Sequence, residues 1–497
     1  MATTNTKQAI WVSIGSFFSF LVGIISPMIL SRYFDKTDYG TYKQVMYVYT
    51  TLLSVFSLGL PRAYAYFIPK GTPAQAKDVI SKITNLFVAL GFFFSCLLFI
   101  FSSIIADILK NPDLELALKI FSPVPLLLLP TLGLDGIFAS FQKTQFLAIY
   151  TIITRIVTVL CIVIPVIFME GDYISAIIGF DIASLLTCIF ALVLKNFPIK
   201  NYRCEKSCFT YRHILNFSIP LAFASLWGMI IGSSNQFFIS RYYGTQVFAD
   251  YSNGFMDIPF VGMIVGAIAI VLQPLFSGLE KKEGGISRIL STWRSSLIKS
   301  AMLVFPMLFY GMFVNVILMI VMYGESYFGS GKYFILRCIY SLFLIVPYAP
   351  VFLALGKTKA YARAHMLTAV FLVISQFIIV HLCPFAIAIP IAYVLFSILK
   401  VWMLLNYIKK YLNIKFRDLI PIGKIIHITF LSITSGVFML IILSPWKMNN
   451  LLFLFIGCII FIVIYFILAW ITRLSYKDLI KSILPVNYGK YIVKFIP

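Results

Sequence analysis

The chain is a succession of long apolar runs separated by short polar connections. The runs cover residues 8–31, 41–68, 83–109, 116–141, 146–169, 173–194, 214–240, 250–277, 297–323, 333–355, 363–382, 385–407, 424–444 and 451–472. Each is close to, or longer than, the roughly 20 residues a helix needs to cross a hydrocarbon core of about 30 Å. A bilayer offers the backbone no hydrogen-bond partners, so only helices or closed barrels can span it. Barrel strands alternate apolar and polar positions over roughly ten residues, and a run such as Leu451–Ile471 shows no alternation. The pattern therefore predicts an all-α integral membrane protein with about 14 transmembrane helices. Prolines fall inside several runs (Pro61, Pro165, Pro259, Pro274, Pro306, Pro347, Pro350), where loss of a backbone hydrogen bond predicts bends.

Composition agrees. Hydrophobic residues make up 61% of the chain and charged residues 12%, against roughly 25% charged in soluble proteins. The net charge of +22 would suit a nucleic-acid binder, but its distribution argues otherwise. With the N-terminus placed in the cytoplasm, 29 of the 40 Lys and Arg residues fall on cytoplasmic segments and 8 on the opposite side. That asymmetry is the positive-inside bias of membrane helices, and it orients both termini to the cytoplasm. No nucleic acid is expected as a partner; membrane lipids are. The N-terminus lacks a charged region followed by a cleavage site, so residues from Gln8 onward are expected to stay as a first helix. Cys204 and Cys208, near His213, have a weak metal-ligand spacing, and neither a metal nor another cofactor is expected. There is no Gly-x-x-x-x-Gly-Lys loop for nucleotide. The longest predicted outer connections are also too short for a membrane-embedded glycosyltransferase, so no enzyme activity is expected.

An internal repeat organises the runs. Ser31-Arg32-Tyr33-Phe34 followed by Asp38-Tyr39 recurs as Ser240-Arg241-Tyr242-Tyr243 followed by Asp250-Tyr251. Phe138-Ala139-Ser140-Phe141-Gln142-Lys143-Thr144 is echoed by Phe352-Leu353-Ala354-Leu355-Gly356-Lys357-Thr358. Six runs separate the copies, an even number, so the repeats lie parallel and should be related by a pseudo-twofold axis along the membrane normal. The expected organisation is an N-terminal lobe (1–200), a C-terminal lobe (201–411) and a terminal helix pair with a cytoplasmic tail (412–497).

These residues resemble the polysaccharide-flippase branch of the multidrug/oligosaccharidyl-lipid/polysaccharide (MOP) exporter superfamily. The likeness runs through Ser31–Phe34, Asp38-Tyr39-Gly40-Thr41-Tyr42, Gly59-Leu60-Pro61 and Leu272-Gln273-Pro274-Leu275. It continues in Tyr323-Gly324-Glu325-Ser326-Tyr327 and Leu355-Gly356-Lys357. The resemblance implies two six-helix lobes around a central cavity that opens to either side in turn. It also implies transport of undecaprenyl-pyrophosphate-linked oligosaccharides outward across the bacterial inner membrane. Protons or sodium are then the candidate coupling ions, and a polysaccharide polymerase is a candidate partner. The alternative within the superfamily is a cation-coupled exporter of small drugs.

Ionisable groups inside spans are where such chemistry would reside, because each costs at least about 2.5–3.5 kcal/mol at mid-membrane without a partner or a wet path. Arg155 stands nine residues into its run, about 13 Å deep at 1.5 Å per residue. Asp181 is similarly deep in the next run, while Arg62 and Asp135 are nearer the cytoplasmic face. One reading pairs Arg155 with Asp181 structurally. The other turns Arg62 and Arg155 toward the diphosphate of the lipid carrier, which guanidinium matches bidentately, and lets Asp135 or Asp181 carry a coupling proton. Arg32 and Arg241, at matched repeat positions at the outer mouth, are candidates for a gate or for interfacial anchoring. Asn235, Gln236, Gln273, Asn315, Gln376 and His381 are expected to hydrogen-bond between helices.

Overall fold

The structure is a computed structural model that describes residues 2–279, 285–354, 357–474 and 476. Lys281, Lys282, the Leu355-Gly356 pair of the second repeat copy and the basic tail residues Lys477, Lys481, Lys490 and Lys494 lie outside the described residues, as does the side chain of Gln273. All regular structure among the described residues is helical.

The first predicted run is one helix, α1 (Ala2–Tyr33), and the second is two, α2 (Lys36–Phe56) and α3 (Pro61–Phe67). Next come α4 (Pro73–Ile100) and α5 (Ser102–Leu109), then a run cut into α6 (Asp113–Phe121), α7 (Val124–Leu128) and α8 (Leu134–Ser140). Two uninterrupted helices follow, α9 (Thr144–Phe168) and α10 (Tyr173–Asn196). The second repeat opens with α11 (Tyr211–Tyr243), α12 (Thr245–Gly254) and α13 (Pro259–Leu279), and continues with α14 (Gly285–Phe313), α15 (Asn315–Tyr323), α16 (Gly331–Leu342) and α17 (Ala349–Ala354). The chain ends with α18 (Thr358–Leu382), α19 (Ala388–Leu412), the short α20 (Phe416–Leu419), α21 (Ile422–Leu443) and α22 (Asn450–Ile471).

Among the described residues, eleven helical spans are long and apolar enough to cross a membrane, and the bent α11 makes a twelfth. The remaining two predicted runs, 250–277 and 333–355, are each divided between two helices. Apolar content predicted these spans correctly but is blind to where the backbone interrupts them. The interruption at Phe101 and that at Val314 lie 213 residues apart, within the spacing of the sequence repeat, and the breaks at Leu132-Gly133 and at 343–348 match in the same way.

Local chemistry sets the helix starts. Asp35 accepts from the Thr37 and Asp38 amides at 2.8 Å to cap α2. Thr72 and Gln75 form a capping box on α4, and Asp172 caps α10 through Ser175. These side chains satisfy amides that a helix start leaves open. His213 is engaged in the same way with Thr210 at the start of α11, and Cys204 and Cys208 are exposed nearby. Between α2 and α3 the chain passes through left-handed conformations at Leu58 (φ 44°) and Gly59 (φ 67°) before Pro61 opens α3. Proline at a helix start sacrifices no hydrogen bond, so Pro61 marks a new helix rather than a bend in the old one.

The chain packs as two compact units, Met1–Ser252 with Gln376–Ile389 and Asn253–Ser375 with Pro390–Pro497. In the first, Tyr49 sits between Phe94 and Phe121, with ring centroids 6.1 and 5.3 Å away, and Phe94 also stacks on Phe56 at 4.5 Å. The surface is as apolar as the interior: Phe92, Phe93, Phe168 and Trp470 are exposed. Lipid solvates such side chains, so helix association here rests on close packing and polar bonds rather than on escape from water. Gly40 is one such close approach, since a Cβ there would stand 2.4 Å from the carbonyl oxygen of Thr245.

Candidate functional site

The six candidate charges all belong to the first unit, and the structure sorts them into two groups. Arg62 is the second residue of α3 and Asp135 the second residue of α8, and these two short helices pack on one another through Tyr64, Ala65, Gly133 and Gly136. Both side chains are exposed, and among the described residues neither has a hydrogen bond or an ion pair. Asp135 suits a helix start, whose dipole favours a negative charge; Arg62 runs against it.

Arg155 projects from α9 and is exposed, with Nε donating to Ser19 Oγ of α1 at 3.0 Å. The expected pairing of Arg155 with Asp181 does not form: Asp181 is half-buried on α10, and its Oδ1 is buried with no hydrogen-bond partner among the described residues. Neighbouring helices do not guarantee that side chains share a face.

Arg32 and Arg241, although matched in the repeat, do different work. Arg32 is exposed, and its Nη1 donates to the Met28 carbonyl of its own helix at 3.3 Å. Arg241 reaches from α11 to the carbonyls of Asp107 and Ile108, closing the C-terminal end of α5. Around it lies a polar lattice. Asn111 donates to Thr41 Oγ1 at 2.9 Å and to Gln44 Oε1 at 2.5 Å, and Gln44 donates onward to Ser240 at 2.7 Å. Lys36 pairs with Asp250 at 3.0 Å, and Gln246 donates to Thr37 at 3.2 Å.

Of the amides expected to bridge helices, Gln376 does so, donating to Asn235 Oδ1. Asn315 instead donates to the Met312 carbonyl just before its own helix, and His381 bonds the Phe377 carbonyl of α18. Two lysines, Lys195 and Lys400, that the charge count includes among the 29 cytoplasmic residues are buried. Lys195, in the last turn of α10, is 2% exposed, donates to Tyr64 Oη at 2.9 Å and lies over the Tyr64 and Phe87 rings. Lys400, on α19, is 8% exposed. For Lys400 the signal was present, since it falls inside the predicted run 385–407; Lys195 lies just past the run 173–194, and α10 continues through it to Asn196.

Spanning helices, several of them interrupted, define a helical multi-pass membrane protein whose charges on α3, α8 and α9 have no ion-pair partner among the described residues. Among solved structures, the chain is similar to the lipid II flippase MurJ in an inward closed conformation, with a TM-score of 0.73 at 18% identity, covering 95% of this chain and 100% of that one. It is also similar to a multidrug resistance MATE family transporter of the MOP superfamily in an inward-facing conformation (TM-score 0.64, 11% identity, 81% and 98% covered). A third similar structure is a MOP superfamily transporter from Pyrococcus furiosus (0.57, 13%, 82% and 96%). No curated protein sequence matches. The fold is thus that of the MOP superfamily, in a multi-pass membrane protein. A family model described as "Polysaccharide biosynthesis protein" matches residues 6–280, more than half of the sequence, and the chain belongs to that family.

Proposed function

We propose that the chain is a flippase that carries undecaprenyl-pyrophosphate-linked oligosaccharide repeat units from the inner to the outer leaflet of the bacterial cytoplasmic membrane by alternating access. The family description supports a saccharide pathway, and the similar MurJ is named as a flippase of lipid II. The observation that carries the reading is Arg155. A guanidinium deep in a spanning helix is exposed and, among the described residues, has no carboxylate partner, although Asp181 lies on the adjoining helix. Facing lipid it would cost at least about 2.5–3.5 kcal/mol; facing a wet path or a diphosphate it does not. Arg155 and Arg62 then attract the diphosphate, Arg32 and Arg241 act at the outer mouth, and Asp135 or Asp181 takes up the coupling proton. Sodium is the other candidate ion. In this reading the repeats 1–200 and 201–411 are the moving halves, both termini are cytoplasmic, and a polysaccharide polymerase receives the product.

The test is complementation of a bacterial strain lacking the protein, scored by polymerised surface polysaccharide and by lipid-linked intermediates left in the inner leaflet. Arg155→Ala, at normal membrane level, should lower export about tenfold or more, and Arg155→Lys should restore part of it. Full activity of Arg155→Ala removes the role. The MATE-type fold favours a second reading, export of small cationic drugs. Under that reading, loss of the protein raises sensitivity to cationic drugs and leaves surface polysaccharide unchanged.

A further inference from the structure

The second unit holds a cavity of about 450 Å³ that this transport reading does not use. Its walls come from α13, α16, the break at 343–348, α18 and α19, and its charged or titratable lining is Asp257, Arg337, Tyr348, Tyr361, His365 and Lys400. Lys400 is only 8% exposed, and among the described residues its ammonium has neither hydrogen bond nor ion pair. Arg337 pairs with Asp257 and lies over the Phe255 and Tyr340 rings, 5.4 and 5.1 Å from their centroids. Its Nε is buried with no acceptor among the described residues. The Asp257 side chain is 88% exposed and that of Arg337 16%, so the acidic partner of the pair is well solvated while the guanidinium is not.

A buried ammonium with no partner is expensive and is retained where something neutralises it. With Arg337 offset by Asp257, the Lys400 ammonium is the uncompensated charge of the cavity, and an anion beside it would keep it protonated. Arg337, with its Nε–H unpaired among the described residues, and Lys400 line the same cavity, and a tetrahedral oxyanion offers several acceptor oxygens to such donors where a halide offers a single centre. Apart from Ser341 the remaining wall is apolar, with Ile258, Val261, Val265, Leu344 and Leu404, and suits a hydrocarbon chain attached to that oxyanion. We propose that this cavity is a phosphate-binding site, held by Lys400 and Arg337, for a phosphate group of lipid or inorganic origin. The site stands independently of what the chain transports, because it rests on the second unit alone.

The experiment titrates full-length protein in non-ionic detergent and gluconate buffer with inorganic phosphate and with dodecyl phosphate, using dodecanol and chloride as controls. Binding should saturate. Lys400→Met and Arg337→Gln should each weaken it about tenfold or more, the loss expected of a charge-assisted bond. Lys400→Arg should stay within about threefold of wild type. Tighter binding of dodecyl phosphate than of inorganic phosphate, by about tenfold, assigns a lipid source; equal affinities assign free phosphate. The proposal is overturned if neither probe saturates or if dodecanol or chloride binds as well. It is overturned equally if Lys400→Met and Arg337→Gln, each melting as a folded protein, bind like wild type.

Discussion

Two regions of the first unit contrast sharply. Where α2, α5, α11 and α12 meet, the polar groups are engaged: Lys36 with Asp250, Arg241 with the end of α5, and Asn111 with Thr41 and Gln44. On α3 and α8, Arg62 and Asp135 stand open without partners among the described residues, and on α9 Arg155 holds only a serine. The lattice spends its polarity on holding helices together, while the open charges hold nothing. Substitutions in the first region should therefore lower stability, and substitutions in the second should lower transport at unchanged stability.

The largest effect is expected at Gly40. Gly40→Val drives a side chain into the Thr245 backbone and should destabilise the protein by about 3 kcal/mol or more, read as a lowered melting temperature in detergent. Asn111→Ala leaves Gln44 and Thr41 with a lost partner in a buried setting and should cost about 1–3 kcal/mol in the same measurement. Arg62→Ala and Arg155→Ala should melt within about 0.5 kcal/mol of wild type while export falls; equal loss of stability in these variants would erase the contrast. Lys36→Ala should cost no more than about 1 kcal/mol, because its ion pair is partly solvated. The smallest and most pointed comparison is Arg241→Ala against Arg32→Ala. The first uncovers helix-end carbonyls and should cost about 1 kcal/mol, and the second should change stability by less than about 0.5 kcal/mol. Equal values would mean that the repeat outranks the contacts.

The helical membrane fold was legible because apolar run length reports directly on bilayer thickness. The breaks were partly legible. Pro61, Pro259, Pro347 and Pro350 fall at or beside interruptions, but Pro165 and Pro306 sit inside continuous helices. A proline removes one hydrogen bond, and whether the helix stops there depends on packing. Arg155 was found because depth is countable along a run. That it would miss Asp181 was not, since facing depends on how α9 and α10 rotate against each other. The charge count takes Lys195 and Lys400 as cytoplasmic because charge bias treats a basic residue near the end of a run as solvated, whereas their helices continue past them.

The lattice also imposes a schedule on biosynthesis. Gln44 and Ser240 are separated by 196 residues, so at 5–20 residues per second the hydroxyl reaches the membrane about ten to forty seconds after the amide. During that interval Gln44 must sit in a half-made protein without the partner that its NH2 group will finally use. Asn111 arrives earlier, 67 residues behind Gln44, and can occupy the amide oxygen meanwhile. The first five helices can thus wait as a partly bonded cluster, and α11 is the piece whose arrival releases them from waiting.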